Sequence, residues 1–291
     1  MGRYWKRDLS VTLSGKGGSL TVENLKITFD GTKTLGSKQN EFTVDIWNLT
    51  PSHRKQLGEE FDKIEVRAGY KELHPGIIFS GNIRDVTNTL EDDGGLNVKS
   101  HLECGDGDKG INSGAISKTF PPKTKPKDMV KAVLKTMPEV GTGPLKGLDD
   151  LPAIKRPVSV FGWSFRQMDT LARQYGFYWS VQDGKAQTLK RDEAFDDVIV
   201  LSKETGVIGV PDQTDKGVKV KCLLNPRLLP GRQIDVRSGF LDENSGRDKR
   251  ATDQGGGLFR VASVHLFGGN REDDFYCEVE GNRMQGKKVK K

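Results

Sequence analysis

The sequence has few cysteines and few histidines, and neither forms a pattern. Cys104, Cys222 and Cys277 are odd in number and far apart. No CxxC pair occurs, so a cysteine-based zinc site is not expected. Cys222 and Cys277 fall on the apolar phase of alternating runs. They are expected to be small buried hydrophobes of a protein folded in a reducing cytoplasm. His53, His74, His101 and His265 are the only histidines, and none is spaced from another His or a Cys as metal ligands are. "SGKGG" at 14–18 lacks the order of a phosphate-binding loop and reads as a turn. No GxSxG occurs. "DENSG" at 242–246 starts like a calcium loop but lacks the closing glutamate. The 40 acidic residues contain no carboxylate pair that spacing alone would single out for glycoside hydrolysis. No catalytic, cofactor-binding or metal residue is therefore assigned, and no cofactor is expected.

Long apolar runs are also missing. None approaches the ~20 residues that cross a bilayer. "MGRYWKRDLSVTLSG" has positive charges but no apolar h-region, so neither a signal peptide nor a membrane anchor is expected. The formal charge is +6 and the pI about 9.0, with part of the excess in the terminal "GKKVKK". Elsewhere basic residues are interleaved with acids, which favours a solvated surface over a dedicated DNA-binding face.

What is abundant is glycine, 35 residues of 291. That is well above the usual ~7% and fits many turns between short strands. Residues 1–107 read as such a series: "RDLSVTLSG", "SLTVENLKITFDG", "EFTVDIWNL", "DKIEVRAGY", "GIIFSGNIRDVTNTL" and "GLNVKSHLECG". Phe42, Val44 and Ile46 alternate with Thr43, Asp45 and Trp47, the two-residue period of a half-buried strand. "PSHRKQLGEEF" interrupts the series as a short helix. From 201 to 284 strands return in "GVKVKCLL", "RQIDVRSGF", "GLFRVASVHLFG" and "DDFYCEVEG".

Between them, at 108–200, the period changes. Met129, Val130, Val133, Leu134 and Met137 lie at helical spacing. "WSFRQMDTLARQYGF" reads as a second helix, with Ser164 and Gln167 as a capping box and Gly176 as its left-handed terminus. "FYWSVQDGKAQTLKR" is a hairpin turning at Asp183-Gly184. Residues 138–162, rich in Pro and Gly, read as a long irregular connection. "GDGDKG" at 105–110 reads as a domain junction.

The two β-rich stretches repeat one another. "IEVRAGY" at 64–70 matches "IDVRSGF" at 234–240, every difference being conservative. Before each lies an alternating strand ending in Asn and Pro, "FTVDIWNLTP" and "VKVKCLLNP". After each lies a strand rich in Val, Ile and Phe, and then one closing on Gly. The expected fold is mainly β, α+β overall: two similar β-barrels at 1–107 and 201–284, an α+β insert at 108–200, and a basic flexible tail at 285–291.

These residues resemble the baseplate hub proteins of contractile-tailed bacteriophages, relatives of the tail tube. The resemblance is carried by "YWKRDLSVTLSG", "FTVDIWNLTP" and "KIEVRAGY…GIIFSGNIRDV…LECGDGD", then by "ETGVIGVPDQTDKGVKVKCLLNPRLLPGRQIDVRSG" and "GLFRVASVHLFGGNREDDFYCEVEG". It implies two tube-like barrels per chain and a homotrimeric, pseudo-sixfold ring. The ring would sit between the hexameric tail tube and the trimeric spike, among other baseplate proteins. DNA would pass through its channel without specific binding. The resemblance also implies a virion location in the tail baseplate, after synthesis and assembly in the bacterial host cytoplasm, and no catalytic residues. Two other readings are a tail-associated peptidoglycan-degrading enzyme and a carbohydrate- or receptor-binding tail module. "NPRLLPG" at 225–231 breaks one strand and sets up the next. Its Leu228 and Leu229 are candidates for a contact with a neighbouring barrel.

Overall fold

The computed structural model describes residues 6–73, 75–91, 96–237 and 256–284. "DENSG" at 242–246 and the basic tail at 285–291 lie entirely outside them.

The first array comprises β1 (Arg7–Gly15), β2 (Gly18–Val22), β3 (Ile27–Thr34), β4 (Glu41–Trp47), β5 (Phe61–Tyr70), β6 (Gly76–Leu90) and β7 (Val98–Gly105), with the short helix α1 (Pro51–Gln56) before β5. The insert holds α2 (Asp108–Ser113), β8 (Ala115–Phe120), α3 (Pro126–Leu134), β9 (Gly141–Leu145), β10 (Val158–Trp163), α4 (Ser164–Tyr175), β11 (Phe177–Gln182) and β12 (Lys185–Lys190). The second array is β13 (Val198–Leu201), β14 (Val207–Thr214), β15 (Gly217–Leu223), β16 (Gln233–Arg237), β17 (Gly256–Gly269) and β18 (Phe275–Arg283). Alternation makes these strands. Val11 and Leu13, Phe42, Val44 and Ile46, and Val218, Val220 and Cys222 are all buried, with more exposed residues between them.

All strands outside the insert join one 13-stranded sheet, in the order β14-β15-β18-β17-β3-β4-β7-β6-β5-β1-β2, with β16 beside β17 and β13 beside β16. Within it the sequence repeat appears as a repeated strand order. A row of directly paired residues crosses the first array as Lys63, Asn82, Gly105, Glu41 and Thr32. The matching row in the second array is Gln233, Arg260, Asn282, Gly217 and Thr214. The register irregularity is repeated too. The β6–β7 pairing shifts between Ile83 and Asp85, and the β17–β18 pairing between Val261 and Ser263, each one residue past the row. A bulge is a specific local device, and it recurs at matching positions of the two arrays, which are called the first and second copy below.

The copies are fused by pairing. The second half of β17, Ser263–Gly269, is antiparallel to β3 from Thr34 to Thr28. One apolar core spans both copies, from Leu9 and Val11 to Phe275 and Val279. Aromatic rings bridge the seam: Phe275 of the second copy meets Phe29 and Tyr70 of the first edge to face, at centroid distances of 5.9 and 5.5 Å. Phe29 stacks on Phe42, which stacks on Phe79 at 4.6 Å. Gly31 makes room for this column, since a Cβ there would lie 1.9 Å from the Phe42 ring.

The insert has its own core, built from Met129, Val130, Val133, Leu134, Met168 and Trp179 among others. Of its three helices, α3 and α4 are as the sequence predicts, as is the Asp183-Gly184 hairpin, and α2 is an addition. Asp183 and Gly184 both have positive φ (53° and 76°), the geometry of a two-residue hairpin turn. Gly176 ends α4 in the left-handed region at φ 70°. Two expectations are corrected. Ser164 is the first helical residue, not the cap, and its hydroxyl bonds Thr136 Oγ1 at 2.7 Å. Gln167 does reach back, but it donates to the Phe161 carbonyl at 2.8 Å. The segment 138–162 is not wholly irregular: β9 pairs in parallel with β12, and β10 in antiparallel with β8.

Leu228 is also corrected. It is 0% exposed inside the shared core, so its side chain cannot reach another subunit. Leu229 is half-buried. The 225–231 break instead ties the units of the chain together. Pro226 packs where a Cβ on Gly76 would meet it at 3.0 Å. The Gly231 carbonyl accepts from Phe195 N at 2.8 Å, and Gly231 N donates to the Val261 carbonyl at 2.8 Å. Leu228→Ala should therefore lower unfolding free energy by about 2–5 kcal/mol in a denaturant titration. A loss near zero would show that Leu228 does not carry core packing.

Candidate assembly surfaces

Three features could carry function: two histidine–carboxylate pairs, a buried polar node under the insert, and two strand edges. The pairs lie on the sheet surface. His101 Nδ1 lies 2.6 Å from Asp45, and His265 Nε2 lies 3.0 Å from Asp30. His265 sits on β17 and Asp30 on β3, so that pair staples the seam. Among the described residues, no group of three His, Cys, Asp or Glu could hold a metal ion. Cys222 and Cys277 are directly paired across β15 and β18, with sulfurs 3.4 Å apart; both are free and buried. Burial also pushes the Cys104 thiol up to about 12, which suits packing and not attack.

The polar node fastens the insert to the first copy. The inward face of β3 runs Ile27, Phe29, Gly31 and then Lys33, a fully buried lysine. Its ammonium meets Asp183, in the hairpin turn of the insert, at 2.6 Å. Asp106, also fully buried, follows β7 and accepts from the backbone N–H groups of Asp183 and Gly184, both at 2.8 Å. Asn40 donates to the Val181 carbonyl at 2.8 Å, and Gln182 to the Thr34 carbonyl at 2.8 Å. The "GDGDKG" stretch thus carries a contact between β7 and the hairpin of the insert. The part of Lys33 was not legible, because a lysine at the end of an alternating strand looks like a solvated surface residue.

The second copy grips the insert from the matching row. Arg260 donates to the carbonyls of Arg191 and Glu193 at 2.6 and 2.9 Å. Its counterpart in the first copy, Asn82, donates to Glu139 of the insert at 3.0 Å. Both copies therefore hold the insert, and it is built into the assembly rather than tethered to it.

The edges complete the picture. Among the described residues β14 pairs only with β15, and β6 beyond Asn82 pairs only with β7. Both edges carry exposed apolar side chains: Ile208 and Val210 on β14, and Leu90 at the end of β6. Phe161 and Trp163 on β10 are exposed as well.

The model of the baseplate hub gp41 family matches residues 8–246. The chain belongs to the baseplate hub gp41 family. That family is a structural one of phage tail baseplates, which implies a place in the virion tail. Solved structures agree on the fold. The tail protein of Neisseria meningitidis MC58 superposes with a TM-score of 0.63 at 10% identity, over 96% of this chain and 97% of that one. The 43 kDa tail protein of prophage MuSo2 from Shewanella oneidensis gives 0.63 at 9%, over 96% and 97%. An Escherichia coli component of the type VI secretion system, described as similar to the T4 tail proteins gp27 and gp5, gives 0.59 at 11%, over 88% and 73%. No curated protein sequence matches the chain. No helix among the described residues is long and apolar enough to cross a membrane.

Within this hub chain, the node around Asp106 has a measurable signature. Burial, and then the nearby negative charge of Asp183, push the Asp106 carboxyl up to about 6, against the opposing pull of the Gly184 N–H, Lys33 and the Asp183 N–H. Because the folded value lies above the ordinary ~3.9 of aspartate, folding favours the protonated form. The stability this group contributes is complete below about pH 4 and is lost as pH rises through about 6, by about 3 kcal/mol at most. A carboxyl-carbon NMR titration should place the Asp106 midpoint near 6. Lys33→Met should move it higher, since a cation that favours the charged form is gone. A midpoint below 4 in the native chain would refute the buried node.

Proposed function

We propose that this chain is a non-catalytic structural hub. Three copies form a ring that joins the hexameric tail tube to the trimeric central spike and lines the ejection channel. The carrying observation is the doubled unit. Each chain holds two copies of one strand array, with matching rows and bulges, fused side by side in a single sheet. Three such chains offer six similar units to a sixfold tube while keeping threefold symmetry toward a spike. The units are taken as 1–107 and 201–284, with the insert at 108–200 placed outside the ring of strands. Family membership and the likeness to tail proteins support this reading.

The role asks for no turnover, and the buried thiols and the histidine–carboxylate pairs form no reactive constellation. DNA passes through the ring without specific binding. Phosphate contacts bind strongly at low salt, so the excess of Lys and Arg belongs on outer faces and in the tail. The chain is made and assembled in the host cytoplasm.

Cryo-EM of the tail particle should place three copies of this chain on the tail axis, between the tube and the spike, with few Lys and Arg facing the lumen. Density for the chain away from the axis would sink the hub reading. Purified protein should leave cell-wall substrate uncleared in a zymogram, whereas clearing that is lost on mutating one acid pair would establish the enzyme reading instead.

A further inference from the structure

The seam between the two copies is a template. Inside the chain, β3 of the first copy adds to the second half of β17 of the second copy. The matching rows translate each residue of this seam into its counterpart. Thr32 corresponds to Thr214, because each is the last member of its row. Counting past the shared bulge, His265 corresponds to Thr87 and Phe267 to Thr89. The counterpart of β3 is β14, and the counterpart of the second half of β17 is the stretch of β6 from Asp85 to Leu90. Both of these edges lack a second neighbour among the described residues.

We infer that β14 of one chain pairs antiparallel with Asp85–Leu90 of a second copy, setting Thr214 opposite Thr87, Gln213 opposite Asn88 and Asp212 opposite Thr89. The occupant of each edge is thus another copy of this chain. The inference rests on the hub reading and supplies the contact that would close its ring.

Three observations support it. First, the register is inherited from the internal seam, where Thr32 faces His265, Gly31 faces Leu266 and Asp30 faces Phe267. Second, the exposure is what an unmade seam leaves behind. Phe29 is buried at the internal seam opposite Gly268. In β14 the pairing with β15 skips from Ile208 to Asp212, so Gly209–Pro211 take that place. They fall opposite Leu90, the counterpart of Gly268. Leu90 is 67% exposed and Val210 53% exposed. A large–small pair inside the chain thus becomes a pair of medium apolar residues, both in water until a partner covers them. Third, an edge pairs with its complement, not with itself. The contact is head to tail, and in such a contact each added chain presents the same free edges again until a rotation closes the ring.

The experiment uses assembled tail particles carrying Thr89→Cys and Asp212→Cys together, oxidised mildly and run on a non-reducing gel. Directly opposed residues on antiparallel strands are close enough for a disulfide, and the three native cysteines are buried. The double variant should give chains linked into dimers and trimers, at least tenfold above either single variant. Particles with three copies on the tail axis and no such link would overturn the pairing while leaving the hub reading intact. A chain found off the axis would overturn the hub reading and the pairing with it. Should the double variant fail to assemble, amide exchange of the native chain decides. The amides of Asp212–Thr214 and Thr87–Leu90 should slow at least tenfold on going from the free chain to the particle, and unchanged rates would overturn the pairing.

Discussion

The antiparallel pairing of β3 with the second half of β17 is the constraint on which the rest of the molecule depends. It turns two copies of a strand array into one sheet over one core. An array cut at this seam would expose a row of unpaired N–H and C=O groups, together with Phe29 and Phe275. Buried polar backbone without a partner is costly, and each of those rings carries a large apolar area. Tyr70 reaches across as well, donating its hydroxyl to the Phe275 carbonyl at 3.1 Å. Neither copy is complete alone, because part of the packing that stabilises each is supplied by the other.

The insert exploits the same arrangement. Its hairpin turn drops onto the end of β3, where a lysine and an aspartate are both fully buried. Buried charges of this kind cost much to desolvate and are tolerated only when paired and hydrogen-bonded. Here each ion has partners in the insert: the carboxylate of Asp183 for Lys33, and two backbone N–H groups for Asp106. Withdrawing the insert would strand both ions. With Arg260 anchored from the other copy, the insert bridges both arrays and holds their relative position.

The strands and the repeat were legible because each rests on local pattern. Alternation of Val220, Cys222 and their neighbours fixes a strand, and Asp183-Gly184 fixes a hairpin, whatever surrounds them. The near-identity of "IEVRAGY" and "IDVRSGF" points to a duplication, and the strand order around the two stretches repeats. What failed depended on partners distant in sequence. "GTGPL" at 141–145 has no strand pattern and owes its order to β12 alongside it. Ser164 has the right residue three positions before Gln167, but its hydroxyl found Thr136 instead of the helix terminus. Leu228 sits in a stretch punctuated by prolines and reads as a contact with a neighbouring barrel. The fold tucks it under both copies, and nothing within seven residues could signal that. Lys33 and Asp106 were invisible as parts of one node because they lie 73 positions apart in the sequence and meet it through Asp183 and Gly184 of the insert.

The two copies have diverged most where a repeated unit would otherwise be too permissive. An unprotected strand edge pairs with any other edge. On β14 the conflict is managed by Gly209, at φ 70°, and Pro211, which has no N–H to offer. These residues break the ladder in the middle, so a generic strand meets a gap where it needs a donor. Only a partner shaped for the bulge can cover the apolar side chains beside it. β3, which has found its partner within the chain, carries no such interruption and shows the regular alternation of a paired strand. The first copy differs in the other direction. It spends α1 and the turn after it where the second has only "RLLPG", and Gly58 in that turn lies against Val86 of β6. Identical copies would make every seam alike and the number of chains in a ring indifferent to where the chain is cut. The differences make the β3–β17 seam internal and permanent; in the ring proposed above, that would let a doubled chain present sixfold similarity on one side and threefold identity on the other.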